Sequence, residues 1–378
     1  MASFSFKKEV DVRVVHGGTQ YKIDVNEIEF GQTFQEKSFE VKTLHNQGSF
    51  EGSVINQANP AEFSLNTPLL RENTHRVIFD RLLDSATFDI YISTQSNDVW
   101  KLDTCVIQDG TFEINKSRPL RLAISGEASK LSKHSGAIPG STPSATTTTY
   151  IVPTITTLTL GSDDVSDSVT GLSVELQNDI NWNNYNTIHG AVTATDAANS
   201  MYPTTFTSGT KVLGGTIVKY LKDDSTSVLT WNNNTSLVLE AAVDLGKTVA
   251  SIATDSGGTG YSSPPEVTIT GGGGSGATAT AVIDSGAVQS INVTNPGIGY
   301  ITTPTVTIAT PPGGGIPQTA TATATLSAAP VRYGVKFNIT NCSFTNRMSA
   351  QDVFREEYNW RMTQNPTALS SVITYTTA

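Results

Sequence analysis

Only two cysteines, Cys105 and Cys342, occur in the 378 residues. Two cysteines make no disulfide framework; they read as small buried apolar residues of a protein assembled in a reducing compartment. No apolar run reaches the roughly 18 residues of a membrane helix, and the opening MASFSFKKEVDVRVV has no apolar signal core. The expectation is a soluble protein made in the cytoplasm, with no membrane partner. Charge is sparse, at 15% of residues, and acidic in balance, with a net charge of -10 and a pI near 5.0. A general nucleic-acid binder needs a basic face, so this balance argues against one.

Recognisable chemistry is also scarce. The histidines His16, His45, His75, His134 and His189 never pair with each other or a cysteine at metal-ligand spacing. His75 is expected on a helix surface near Glu72. No nucleophile-elbow pattern is present. Gly258-Thr259-Gly260 and Gly271 to Gly274 precede Tyr, Pro and β-type alternation, where a phosphate loop needs a following helix. Asp163-Asp164 and Asp223-Asp224 read as solvated turns. No catalytic, cofactor or metal residue is assigned, and the chain is not expected to be an enzyme.

What is present is Gly, Thr, Ser, Val and Asn in strand-and-turn patterns, so the expected fold is all-β. Val10, Val12 and Val14 alternate with charges, His16-Gly17-Gly18-Thr19 turns, and Tyr21, Ile23 and Val25 return. Alternation continues through Ile28 to Phe30, Phe39 to Lys42 and Phe50 to Ile55. Arg71 to Asp84 places Val77, Ile78, Leu82 and Leu83 on one stripe, which predicts a helix. Residues 133–149 lose all periodicity and read as a linker.

The chain after the linker resembles the chain before it. Leu158-Thr159-Leu160-Gly161 parallels Ile28-Glu29-Phe30-Gly31, and Leu172 to Asn178 parallels Phe39 to Asn46. A second helix is expected on the stripe Val212, Leu213, Thr216, Ile217, Tyr220 and Leu221, weakened by Gly214-Gly215. Trp100, Leu102 and Cys105 then match Phe337, Ile339 and Cys342, so residues 245–330 stand where the first half has a tight turn. Two domains follow, 1–132 and 150–244 with 331–378, plus an inserted β domain over 245–330. The insert is itself duplicated: Val249, Ile252, Gly258, Gly260, Tyr261, Pro265, Val267 and Ile269 recur 39 residues on (288 less 249) as Val288, Ile291, Gly297, Gly299, Tyr300, Pro304, Val306 and Ile308.

The segments Ile28-Glu29-Phe30-Gly31, Ser38 to Leu44, Gly48 to Val54 and Phe63 to Leu70, in this order of hairpin, strands, helix and strands, resemble the tail tube proteins of long-tailed, siphovirus-like bacteriophages. The resemblance implies two tandem β-sandwich tube domains, one helix in each, that lend sheets to an inner barrel. It implies stacked rings, closed by three chains with pseudo-sixfold symmetry, in a non-contractile virion tail assembled in the host cytoplasm. The partners it implies are further copies, tape measure, tail terminator and distal tail proteins, and DNA passing non-specifically during ejection. The polar positions Glu40, Lys42, Glu51, Ser53, Glu175 and Gln177 are lumen candidates, or else face outside solvent. Arg118, Arg121, Arg347, Arg355 and Arg361 read as surface and subunit charge pairs, or as contacts between rings. The insert is expected to project outward. Tyr261 and Tyr300 either pack in its core or touch a host-surface glycan. The alternatives are a distal tail or baseplate ring protein of the same fold, and a carbohydrate-binding adhesin.

Overall fold

The computed structural model describes residues 10–43, 46–94, 98–115, 118–142, 148–183, 201–221, 235–312, 317–350, 354–364, 366 and 368–377. His45, His189 and Asp223-Asp224 lie outside them. The chain forms two compact units, Met1–Ala242 with Gly334–Ala378, and Val243–Tyr333. The all-β expectation holds: the regular structure of the described residues is almost entirely strand, with one α-helix.

The first half of the larger unit runs β1 (Val10–His16), β2 (Thr19–Ile23), β3 (Glu27–Gly31), β4 (Phe34–Thr43), β5 (Asn46–Ala58), β6 (Ala61–Pro68), α1 (Arg76–Asp84), β7 (Phe88–Thr94), β8 (Val99–Glu113) and β9 (Arg121–His134). The second half runs β10 (Ile155–Leu160), β11 (Asp163–Asp164), β12 (Val169–Asn183), β13 (Thr205–Tyr220) and β14 (Thr235–Asp244). It resumes after the insert with β21 (Arg332–Ala350), β22 (Phe354–Met362) and β23 (Ile373–Thr376). The insert holds β15 (Val249–Ser256), β16 (Val267–Thr270), β17 (Ser275–Asp284), β18 (Ala287–Ile298), β19 (Thr305–Ile308) and β20 (Thr321–Leu326).

Both halves use one strand order. The first is β2-β1-β7-β8-β9-β6-β3, and the second is β11-β10-β14-β21-β22-β13-β12. Position by position, β10 takes the place of β1, β13 that of β6, and β12 that of β3. This corrects the alignment read from the sequence: Leu158 to Gly161 belongs with the β1 hairpin and not with Ile28 to Gly31.

It also explains why the stripe from Val212 to Tyr220 is not a helix. Val212 to Tyr220 is strand β13, hydrogen-bonded to β12 on one edge and β22 on the other. Val212, Thr216, Ile217 and Val218 are β-branched and favour a pleated strand, while Gly214-Gly215 penalises a helix. Gly215 is needed for close approach, since a Cβ there would stand 2.1 Å from the Ser173 carbonyl oxygen and 3.1 Å from Trp360 Nε1. The place of α1 in the second half falls between β13 and β14, where residues 222–234 lie outside the described part.

The first helix forms as expected. Val77, Ile78, Leu82 and Leu83 are buried, and the helix ends at Ser85 with φ 56° in the left-handed region. Phe79 carries it into a core shared by both halves, with ring centroids 6.1 Å from Phe112 and 5.2 Å from Tyr375, and Phe112 lies 5.1 Å from Phe337. The segment read as a linker is partly docked: Gln20 Nε2 donates to the carbonyls of Ile138 (2.7 Å) and Gly140 (2.9 Å).

The smaller unit is a six-stranded sheet in the order β16-β19-β20-β15-β18-β17. Its two repeats meet on equivalent residues. Ile252 pairs with its counterpart Ile291, and Val267 and Ile269 pair with Ile308 and Val306. The repeated Gly-x-Gly-Tyr is a conformational signature: φ is +64° and +90° at Gly258 and Gly260, and +60° and +91° at Gly297 and Gly299. Because this unit closes its own core, replacing residues 247–330 by a short Gly-Ser turn is expected to leave the larger unit with a cooperative melting transition. Scanning calorimetry that showed a non-cooperative or absent transition would count against two independent cores.

Candidate functional site

The two halves are joined by sheet. On β12, Ser173 to Gln177 pair antiparallel with Glu113 to Asp109 of β8. Buried Val174 and Leu176 alternate with exposed Glu175 and Gln177. Around this junction the second half serves the helix of the first. Asn178 Nδ2 donates to the carbonyls of Leu82 (3.3 Å) and Ile107 (3.1 Å), and Lys211 Nζ donates to Leu83 (2.7 Å). The Leu82 and Leu83 carbonyls lie in the last turn of α1, without intrahelical partners, so a cationic donor there is favourable. Burial pulls the Lys211 ammonium below its ordinary pKa, and nearby Asp84 acts against that.

The register extends one polar face across several strands. Glu27 lies opposite Asn66, Glu29 opposite Ser64, and Gly31 opposite Glu62. The row continues through Asn66 and Ala123, Ser64 and Ser125, and Glu62 and Glu127. It reaches β8 at Asp109, Thr111 and Glu113, and then Gln177, Glu175 and Ser173. Seven carboxylates thus share the face, Glu27, Glu29, Glu62, Asp109, Glu113, Glu127 and Glu175, with Arg121 opposite Glu113. Two shallow depressions lie on it, one bordered by Glu29, Glu62, Gln108 and Glu127, the other by Glu27, Glu29, Asp109 and Thr111. Partial burial raises the Glu127 pKa, the Gln108 hydrogen bond opposes this, and neighbouring Glu62 adds to the rise. The chemistry is that of a phosphate-repelling surface. The sequence pattern marks Glu175 and Gln177 but not the five carboxylates on β3, β6 and β8, nor Glu127. Alternation marks those positions as polar, but only the register shows that they lie side by side.

Of the other lumen candidates, Ser53 is exposed and Ser38 stands opposite it. Glu40 is placed opposite Glu51 in the β4–β5 hairpin, and the side chains of Glu40, Lys42 and Glu51 lie outside the described part. Tyr261 and Tyr300 are 3% and 2% exposed within the core of the smaller unit. The Tyr261 hydroxyl donates to the Ala309 carbonyl (3.2 Å) and accepts from the Ala320 amide (2.9 Å). Neither ring presents a face to a sugar, which corrects the glycan-contact reading.

His75 is corrected as well. It is buried in a 3-10 turn ahead of α1, where its Nε2 accepts from the Asp24 amide at 2.8 Å. Burial pulls its pKa down to about 4. His16 Nε2 lies 2.8 Å from Arg81. Among the described residues no group of three His, Cys, Asp or Glu could hold a metal ion, and no helix is long and apolar enough to cross a membrane. Cys105 and Cys342 are unbridged and buried, and burial raises both thiol pKa values, that of Cys342 to about 12.

The profile of the Bacteriophage Baseplate Tube Protein Family matches residues 2–231. Among solved structures, a chain of the anti-feeding prophage baseplate, determined by cryo-electron microscopy with sixfold symmetry, matches at 11% identity with a TM-score of 0.28. The match covers 35% of this chain and 97% of that one. No curated protein matches.

Proposed function

We propose, from the premise that this chain belongs to the bacteriophage baseplate tube protein family, that its copies close a ring in the tube of a phage baseplate and line a conduit for the genome. Membership makes it a structural protein of the phage tail or baseplate. The observation that carries the ring reading is the repeated strand order, with the two halves fused edge to edge through β12 and β8. One chain then supplies two pseudo-equivalent sectors, and three chains make six. A closed ring also removes open sheet edges, which are otherwise prone to aggregate.

The acidic sheet face is assigned to the lumen, with Glu175, Gln177, Glu29, Glu62 and Glu127 on it; Glu40, Lys42, Glu51 and Ser53 of the β4–β5 hairpin are lumen candidates of the same reading. Carboxylates along the wall repel the DNA backbone and keep it sliding. The family description favours a baseplate ring, in contact with other tail and baseplate proteins, over the extended stacked-ring tube of a non-contractile tail. Light scattering of the purified chain is expected to give the mass of three copies. A strictly monomeric species at high concentration would overturn the reading.

The lumen assignment has its own test. Replacing Glu62 and Glu175 by lysine is expected to leave particles assembled while genome delivery slows at low salt and recovers partly as salt rises. Delivery at the wild-type rate at every salt concentration would remove this face from the conduit.

A further inference from the structure

The fused junction inside one chain has an unused counterpart at the chain's ends. In strand order, β12 of the second half holds the place of β3 in the first, and β8 holds the place of β21. The β12–β8 pairing therefore has a twin that one chain cannot make by itself, β3 with β21.

The register transfers by residue. Pro68 stands opposite Arg121, which stands opposite Glu113. Tyr220 stands opposite Arg355, which stands opposite Ser349. Ser349 thus matches Glu113, and Met348 matches Phe112. Four residues before Pro68 and Tyr220, Ser64 faces Glu29 and Thr216 faces Ser173. Glu29 thus matches Ser173, and Phe30 matches Val174. Since Val174 pairs with Phe112 inside the chain, Phe30 should pair with Met348 of another copy, Glu29 with Ser349, and Gly31 with Arg347.

The two ends differ in cover as this predicts. Phe112 is 1% exposed at the junction, but its counterpart Met348 is 54% exposed and Phe354 beside it 61%. Thr345 to Ala350 are six exposed residues in a row, on both faces of the strand. Among the described strands β21 neighbours only β14, β22 and β23, and β14 is too short, at ten residues against nineteen, to cover that edge. On the donor side, β3 pairs with β6 alone among the described strands, and its other edge has no described strand on it. Charge agrees: Glu29, opposite Ser349, would lie diagonal to Arg347 and in one row with Arg355, which stands opposite Ser349.

We propose that successive copies of this chain join by antiparallel addition of the open edge of β3 to the bare end of β21, Phe30 opposite Met348. The seam rests on the ring reading above and gives it a residue-level contact. Each copy has one donor edge and one acceptor edge, so the contact is head-to-tail and closes when the rotation closes. It reproduces the β12–β8 junction at every chain boundary, so the polar face continues around the ring, acidic over the first half and carrying Arg347, Arg355 and Arg361 over the second.

The test uses the full-length chain carrying Phe30→Cys and Met348→Cys, treated with a short bis-maleimide and run on denaturing gels. Covalent multimers are expected from the double variant, dimers from a mixture of the two single variants, and neither from wild type. Electron microscopy of the untreated double variant separates the two readings. Rings that fail to cross-link overturn the seam and leave the ring standing; the absence of both rings and cross-links overturns both. As a second variant, Met348→Asp changes an exposed side chain and should keep the wild-type melting temperature while losing the assembled species. Wild-type assembly by that variant would also overturn the seam.

Discussion

Replacing Lys219 with methionine is expected to lower the unfolding free energy by roughly 3–5 kcal/mol, the usual cost of stranding one member of a buried ion pair. Lys219 Nζ lies 3.2 Å from Glu356 Oε2, with the two side chains 2% and 1% exposed. The same carboxylate oxygen accepts the Tyr358 hydroxyl at 2.6 Å, and the ammonium stands 6.0 Å from the Tyr358 ring. Register places Lys219 directly opposite Glu356 on β13 and β22. In the first half the matching position is Thr67, fully buried, whose hydroxyl donates to the Asp24 carbonyl at 2.8 Å. One half therefore fills the site with a hydroxyl, and the other with two charges and a phenol. Desolvating the pair offsets most of its attraction, so Lys219→Met combined with Glu356→Gln should recover most of the loss, with Gln retaining an acceptor for Tyr358. Urea unfolding of the two single variants and the double variant measures this. A double variant as unstable as the sum of the singles would mean that the two side chains are not coupled.

The second large effect is on acid stability. An unfolded histidine takes up its proton near pH 6.5, whereas burial holds His75 neutral until about pH 4. Between those values the unfolded chain binds the extra proton. The stability contributed by neutral His75 is therefore complete above about pH 6.5 and is lost as pH falls toward 4. The full difference is roughly 3 kcal/mol. His75→Gln keeps an acceptor for the Asp24 amide but cannot titrate. Its unfolding free energy should run flatter than wild type over that window, with the two curves parallel above it. Parallel curves throughout would show that His75 titrates normally in the folded protein.

The parts of this fold legible in the sequence are those fixed by local pattern. The stripe Val77, Ile78, Leu82 and Leu83 marks α1 because a helix is set by neighbours three and four residues apart. The Gly-x-Gly-Tyr repeat is visible because its glycines carry positive φ at two equivalent turns. What escaped the sequence depends on strand partners far away. Val212 to Tyr220 has an apolar spacing that fits a helix, but its place between β12 and β22 makes it a strand. The two halves are visibly alike, yet matching Leu158 to Ile28 chose the wrong strand, because short β segments resemble each other and only the pairing order distinguishes them. His75 looked solvated beside Glu72, and the Asp24 amide that it accepts from lies 51 residues away. The acidic face is the clearest case: Glu29, Glu62, Asp109 and Glu175 come from four strands, and nothing in their spacing along the chain brings them together.

Averaged electron micrographs of the purified full-length protein examine the ring directly. Threefold particles with six similar sectors around an open channel are the expected images. Compact single-chain particles without a channel, at concentrations where the protein is otherwise folded, would contradict it.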